Sequence, residues 1–309
     1  MRTMLRRILA TACLLIPLVS AAESRPGLLP GLIVLQTDFG LKDQAVAAMR
    51  GVIRGVDRSL VIDDLTHEIP AFNVWEAAYR LRAVIDYWPS GTVFVSVVDP
   101  GVGTQRKSVV ARLNSGHYVV TPDNGTLTLV ADFPGIEAVR AIDEDRQRLP
   151  GSERSHTFHG RDLYAYVGAR LASGQLEFSE LSNLREAIVE IAYQRATRDG
   201  NVLSGTVDVL DPQYGNVWTN IGVDLLDALQ VGAGEVLAVR IRVAGEVRFD
   251  AQVPLHHTFG AVPLGAPLVY VNSVGKLALA LNQDDFAARY GVVAGPDTQV
   301  RIAHPAPPD

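Results

Sequence analysis

The side chains of this 309-residue chain that could do chemistry stand in a few short clusters. Asp99 ends the apolar run Thr92–Val98, and Arg106 follows seven residues later across a turn built from Pro100, Gly101 and Gly103. Asp38 ends a second apolar run. His159 and Asp162 lie in Ser155–Asp162 (SHTFHGRD), just ahead of a helical pattern. Aspartate, arginine and histidine together can polarise a water: the His or Asp accepts a proton while the Arg holds charge. Taken one at a time these residues have plainer readings. Asp99 could cap its own turn with Arg106 as a surface partner, Asp38 could cap a helix, and Asp162 could favour a helix's first turn through its dipole. Two further polar clusters come later, Asp211–Asn216 (DPQYGN) and Asn272–Gly275 (NSVG). There is no G-x-S-x-G elbow, no P-loop, no H-E-x-x-H and no G-x-G-x-x-G after the first strand. Asp38, Asp99 and His159 could bind a metal by residue type, but no spacing supports it.

The surrounding pattern says what must position these groups. Leu32–Thr37 and Thr92–Val98 are apolar, β-branched runs of strand length, and Leu60–Leu65 is a third strand. Between them, Asp43–Gly55 has helical periodicity, and Asn73 caps the amphipathic stretch that follows, with Glu76 as its capping-box partner. Ser108–Leu113 and His117–Thr121 are further strands, and Leu163–Ser173 a further helix. Strand–helix–strand–helix–strand order predicts an α/β sandwich with a mostly parallel sheet. Ligands of such sheets gather at the carboxyl ends of the strands, where Asp38 and Asp99 stand.

From about Ile188 the pattern changes to short strands separated by Gly, Asn and Asp (VLSGTVDVL, VLAVRIRV, EVRFDAQV, PLVYV, LALAL). This predicts a C-terminal all-β, barrel-like domain. The expected division is an N-terminal α/β domain over 28–185 and a β domain over 190–305. Residues 1–22 read as a cleavable signal peptide: Arg2, Arg6 and Arg7, then the apolar Ile8–Val19, then Ser20-Ala21-Ala22. The mature protein is therefore expected to be exported, periplasmic or secreted, with no membrane attachment after cleavage.

The net charge is −6, and loss of the three leader arginines leaves −9, which argues against nucleic acid and anionic membrane surfaces. The single cysteine, Cys13, lies in the leader, so the mature chain has neither disulfide nor thiolate chemistry. His67 reads as a structural hydrogen-bonding histidine, and His256 and His257 as solvated loop residues.

Taken in order, a set of motifs resembles the S-adenosyl-L-methionine hydrolases (adenosine-forming), also called adenosyl-hydroxide transferases, relatives of the fluorinase and chlorinase. The motifs are TDFGLKD at Thr37–Asp43, DLTHEIPAF at Asp64–Phe72, VDPGVGTQR at Val98–Arg106 and PDNG at Pro122–Gly125. They continue with TFHGRD at Thr157–Asp162, DPQYGNVWTNI at Asp211–Ile221 and NSVGKLALA at Asn272–Ala280. The resemblance implies a homotrimer whose sites lie between one subunit's N-terminal domain and a neighbour's C-terminal domain. It implies a small adenosyl substrate, no cofactor and no metal, and water displacing methionine from C5′ of the adenosyl group. Asp99, Arg106 and His159 match the trio that binds that water. Asp38 matches the aspartate that grips the ribose hydroxyls, and Phe72 an aromatic that packs on the nucleoside. Asp211, Tyr214 and Asn216 match residues binding adenine and methionine polar groups, and Asn272 and Ser273 form the N-S motif. Two positions depart from the pattern. Val274 stands where the halide enzymes carry arginine, and Ala278 where hydrolases often carry an acid. A halide adenosyltransferase, disfavoured by Asp99, a non-catalytic adenosyl- or nucleoside-binding protein, and a metal-dependent hydrolase are the alternative readings.

Overall fold

The computed structural model describes residues 31–304. The expected signal peptide, residues 1–22, lies outside the described residues.

The first sheet has six strands: β1 (Leu32–Thr37), β2 (Val61–Thr66), β3 (Val93–Val97), β4 (Ser108–Leu113), β5 (Tyr118–Pro122) and β6 (Ile136–Ala141). Their order is β2-β1-β3-β5-β4-β6. The pairings from β2 to β5 are parallel, and those of β4 with β5 and with β6 are antiparallel. The edge strand β6 was not expected from sequence. Its pattern, Ile136-Glu-Ala-Val-Arg-Ala141, has charges three positions apart instead of an alternation and leaves only Val139 buried.

Helices cover both faces, so the central strands are mostly apolar, and the buried polar pair Gln36 and Ser96 is joined by a hydrogen bond at 3.1 Å. On one face α1 (Ala45–Val56) sets Val46, Met49 and Ile53 inward, and Met49 and Ile53 join the cluster of Ile33, Leu35, Val93 and Val95. On the other face α2 (Val74–Val84) places Leu81 in the cluster of Val34 and Phe94. The alternation along β1 and β3 thus sends neighbouring side chains to opposite helical layers. Asn73 accepts a hydrogen bond from the Glu76 amide at 3.0 Å and starts α2 as expected. Two short helices follow, α3 (Thr128–Asp132) and α4 (Glu144–Gln147). The expected helix at Leu163–Ser173 opens earlier, as a π-helical turn over Gly160–Ala165, and continues as α5 (Tyr166–Ala172). A β-carbon on Gly160 would lie 2.9 Å from the Phe39 ring, so this turn packs tightly on the loop after β1.

The second sheet has β7 (Thr197–Asp199), β8 (Val202–Leu210), β9 (Val217–Gly222), β10 (Val236–Val243), β11 (Glu246–Pro254), β12 (Pro267–Val271), β13 (Lys276–Leu281) and β14 (Gly295–Ala303). All its ladders are antiparallel, in the order β11-β10-β14-β8-β9-β13-β12, with β7 on β8. A bridge between Leu255, just past β11, and Val269 in β12 joins the two edges, so the sheet nearly closes. In β10, buried Leu237, Val239 and Ile241 alternate with outward residues, the two-residue period a barrel wall requires. The two sheets meet along α2. Trp75 Nε1 donates to the Asp208 carbonyl at 2.9 Å, and Arg80 Nη2 to the Leu210 carbonyl at 3.0 Å.

Candidate active site

Asp38 and Asp99 sit just past the carboxyl ends of the adjacent parallel strands β1 and β3. The turn after Asp99 closes by Val102 N donating to the Asp99 carbonyl at 3.2 Å and Thr104 Oγ1 to the Gly101 carbonyl at 2.7 Å. It returns Arg106 onto Asp99. Arg106 Nε lies 3.0 and 3.1 Å from the two carboxylate oxygens, and Nη2 lies 2.6 Å from Oδ2. The two side chains are only 10% and 5% exposed, so this forked pair is weakly screened by solvent. The plainer reading of Arg106 as a surface partner is thereby removed.

His159 does not touch that pair directly. Glu144, at the start of α4, stands between them. Its Oε1 accepts from Arg106 Nη1 at 2.9 Å and from Ser108 Oγ at 2.7 Å, and its Oε2 lies 3.1 Å from His159 Nε2. Arg148 Nη2 donates to the same His159 nitrogen at 2.9 Å. Tyr164 on the π-helical turn places its hydroxyl 2.8 Å from Ser108 Oγ and 3.5 Å from Asp99 Oδ2. Burial opposes ionisation of Glu144, but hydrogen bonds from His159 and Ser108 and the Arg106 charge outweigh it and hold the carboxyl at about 2. Burial also opposes the Arg106 charge, and Asp99 reverses that and raises its pKa. The Tyr164 hydroxyl is pushed up, first by burial and then by the Asp99 charge.

Asp99 and His159 line a cleft of about 440 Å³ together with Asp38, Phe39, Phe72, Val97, Val102 and Phe158. Arg106 supports Asp99 without lining the cleft. Asp38 is not a helix cap: the residue before α1 is Gln44, and the Ala45 amide bonds Asp43 instead. The Asp38 carboxylate accepts from the Phe72 amide at 2.9 Å. Phe72 is 71% exposed, an aromatic face left open at the cleft rim. His67 is buried, with Nδ1 2.8 Å from Thr37 Oγ1 and Nε2 3.1 Å from Asp64, which matches its structural reading. Asp162 is fully buried and paired with Arg161 at 2.6 Å.

None of Asp211, Tyr214, Asn216, Asn272 or Ser273 lines this cleft. Asp211 and Asn216 are joined by their side chains at 3.1 Å and close a tight loop. Gly215 in that loop has φ +65°, and a β-carbon there would lie 1.8 Å from Asp285. Asn272 Oδ1 accepts from the Val274 and Lys276 amides at 3.1 and 2.9 Å. Both motifs therefore build turns of their own barrel. Tyr214, at 66% exposure, is not a core aromatic. Ser273 borders a separate cavity of about 680 Å³ between the two sheets, lined also by Tyr79, Asp208 and Lys276. Burial raises the Asp208 carboxyl to about 7 despite the nearby Lys276 charge.

Glu144, Ser108, Tyr164 and Arg148 are absent from the sequence-derived site. Glu144 and Arg148 lie in Asp143–Arg148, a charged run that reads as a solvated loop. Tyr164 reads as a helix-core aromatic. Only the fold places them beside Asp99 and His159. Among the described residues no group of three or more His, Cys, Asp or Glu is arranged to hold a metal ion.

Comparison with known proteins adds to this geometry. Residues 33–182 match the SAM hydroxide adenosyltransferase N-terminal domain, and residues 205–299 the C-terminal domain of the same family. Over 144 residues the chain is 44% identical to the (R)-S-adenosyl-L-methionine hydrolase of Methanocaldococcus jannaschii, a match covering 45% of this chain and 52% of that protein. It is 34% identical over 273 residues to the (R)-S-adenosyl-L-methionine hydrolase of Salinispora tropica, covering 85% of this chain and 95% of the relative. It is 30% identical over 290 residues to the fluorinase of Actinoplanes sp., covering 85% and 95%. A crystal structure of an uncharacterized conserved protein from Thermotoga maritima superposes with a TM-score of 0.79 at 34% identity, covering 88% of this chain and 99% of that one.

Proposed function

The chain belongs to the SAM hydroxide adenosyltransferase family, and from that premise we propose that it hydrolyses S-adenosyl-L-methionine, or a closely related adenosyl compound, to adenosine and L-methionine. The single observation that carries this reading is the Asp99–Arg106 pair linked through Glu144 to His159 on the wall of a cleft that also holds three aromatic rings.

The reaction suits such a cleft. A sulfonium leaves as a neutral thioether, so no acid is needed to expel it. Charge separation falls in the transition state when a hydroxide-like oxygen attacks a cation, and a site walled by Phe39, Phe72 and Phe158 favours that loss. The protein must supply an oxygen held in line with C5′ and partly deprotonated. Asp99, with its charge fixed by Arg106, orients that water, and His159 takes its proton. Asp38 holds the ribose hydroxyls, and Phe72 packs on the nucleoside. A carboxylate at position 99 repels a halide, so the Asp99–Arg106 pair favours water over chloride or fluoride.

The barrel residues Asp211, Tyr214, Asn216, Asn272 and Ser273 act from a neighbouring copy in a homotrimer. Support comes from their position away from their own chain's cleft and from the exposure of Tyr214. The mature protein is exported, beginning near Glu23; the support is the leader pattern alone. The expected test is incubation with S-adenosylmethionine, with and without chelator and chloride. Equimolar adenosine and methionine, unaffected by either addition, is the expected result. A 5′-chloro product would instead mark a halide transferase, and loss of product with chelator a metal-dependent hydrolase. A thermal shift without product would leave an adenosyl-binding protein.

A further inference from the structure

His159 Nε2 has two neighbours with opposite demands. Arg148 Nη2, at 2.9 Å, can only donate; the ionised Glu144 Oε2, at 3.1 Å, can only accept. One imidazole nitrogen carries either a proton or a lone pair, so it cannot satisfy both. A proton on Nε2 serves Glu144 and leaves the lone pair on Nδ1. A lone pair on Nε2 serves Arg148 and puts the proton on Nδ1. Nδ1 is buried and, among the described residues, has no hydrogen-bond partner, so its donor or acceptor role is left open by the surrounding protein.

The other partners of the two side chains decide the competition. Arg148 Nη1 donates to the Ser155 carbonyl at 3.2 Å and lies 3.9 Å from the buried Asp162 carboxylate, and Nη2 lies 3.4 Å from His156 Nδ1. Its charge is answered elsewhere. Glu144 Oε1 is fully engaged by Arg106 and Ser108, but among the described residues its Oε2 has no donor other than His159. The remaining groups around the ring act through these two: Arg106 and Asp99 through Glu144, and Asp162 and His156 through Arg148.

We propose that Glu144 is a positioning residue that selects the Nε2–H form of His159, leaving Nδ1 to accept the proton of the attacking water, and that Arg148 opposes this selection. The proposal rests on the hydrolase reading above. In the step itself the water oxygen forms a bond to C5′ as one O–H proton passes to His159 Nδ1. The C5′–S bond breaks with its electron pair going to sulfur, giving a neutral thioether. The imidazolium is stabilised through Nε2–H by Glu144 until the proton leaves to solvent. A wrong tautomer costs an enzyme of this logic on the order of 10²-fold or more in turnover even with its geometry intact.

The test has a spectroscopic arm and a kinetic arm on the full mature chain. With ¹⁵N-labelled histidine, and His159→Gln to assign the signal, the ring of His159 should carry its proton on Nε2 in the wild-type protein and on Nδ1 in Glu144→Gln. In pH profiles of kcat/KM, Glu144→Gln should move the acid limb to lower pH and cut kcat on the order of 10²-fold with little change in KM, and Glu144→Asp should recover part of it. Arg148→Lys, which keeps the charge but withdraws the fork, should move the acid limb to higher pH. These opposite signs are not expected of two residues that merely hold a loop. A wild-type ring protonated on Nδ1, or acid limbs that stay fixed in both variants, would overturn the proposal while leaving hydrolysis intact. Absence of hydrolysis in the wild type would instead remove the function and still leave the tautomer readable.

Discussion

The Phe72 amide donates to the Asp38 carboxylate at 2.9 Å, which ties the loop ahead of α2 to the carboxyl end of β1. Phe72 has φ +68°, a left-handed conformation that costs a non-glycine residue about 1 kcal/mol or more. The hydrogen bond helps hold it there and keeps the ring at the cleft rim. Asp38→Ala should therefore remove a ribose contact and release Phe72 together. KM should rise about 10-fold or more with a smaller change in kcat. Phe72→Ala should raise KM less and leave thermal stability near wild type, since the ring is exposed. Equal loss of kcat and kcat/KM in Asp38→Ala would move this residue into the chemical step.

Asp99→Asn keeps the shape of the Arg106 partner but removes the charge proposed to orient water. Turnover should fall about 10²-fold or more with substrate affinity little changed. Arg106→Ala and His159→Ala should be similar, and the double variants should lose less than the product of the singles, because in the proposed mechanism Asp99 and His159 serve one water and Arg106 acts through Asp99. Near-normal turnover in Asp99→Asn would leave only the binding reading.

Asp208 faces the cavity between the sheets with its carboxyl raised to about 7 by burial. A folded-state value above the unfolded one means the native protein holds a proton that the unfolded chain releases. Its contribution is complete below about pH 4 and is lost as pH rises through about 7. Asp208→Asn should therefore gain on wild type by about 4 kcal/mol at pH 8, with the gain vanishing toward pH 4. Denaturant midpoints at the two pH values check this; a gain independent of pH would contradict it.

If neighbouring copies complete the site, Asp99→Asn and Asp211→Ala subunits are defective in different domains. Refolded together, they should form some sites with both domains intact. Activity above either parent, and a trimer by light scattering, is the expected result. A mixture no better than its parents would place each whole site within one chain.

Sequence patterning was sufficient for most of the elements. Thr92–Val98 and Leu32–Thr37 read as buried strands because a parallel strand covered on both faces is a nearly continuous apolar run, broken here only by Thr92, Ser96, Gln36 and Thr37. Leu237, Val239 and Ile241 mark a one-sided barrel wall by strict alternation. The same local signal failed at β6, with charges at Glu137 and Arg140, at β14, with polar residues at alternate positions, and at the start of α5, where a π-helical turn lies close against Phe39 at Gly160.

For the site, the sequence by itself put Asp38 and Asp99 at strand ends, Arg106 after a glycine turn and His159 at a helix entry, and the family resemblance supplied the roles expected of them. It also determined Phe72 through its motif, but not the Asp38 bond that holds it. The tertiary structure alone decided that Glu144 links Arg106 to His159, that Arg148 competes for the same nitrogen, and that the barrel motifs lie away from their own chain's cleft. The reason is physical. A strand end or a glycine turn acts over a few residues, and its signature is local. An ion pair across 38 positions, such as Arg106–Glu144, depends on where two separate elements come to rest, and an acidic residue in a charged loop looks the same whether it meets water or an arginine.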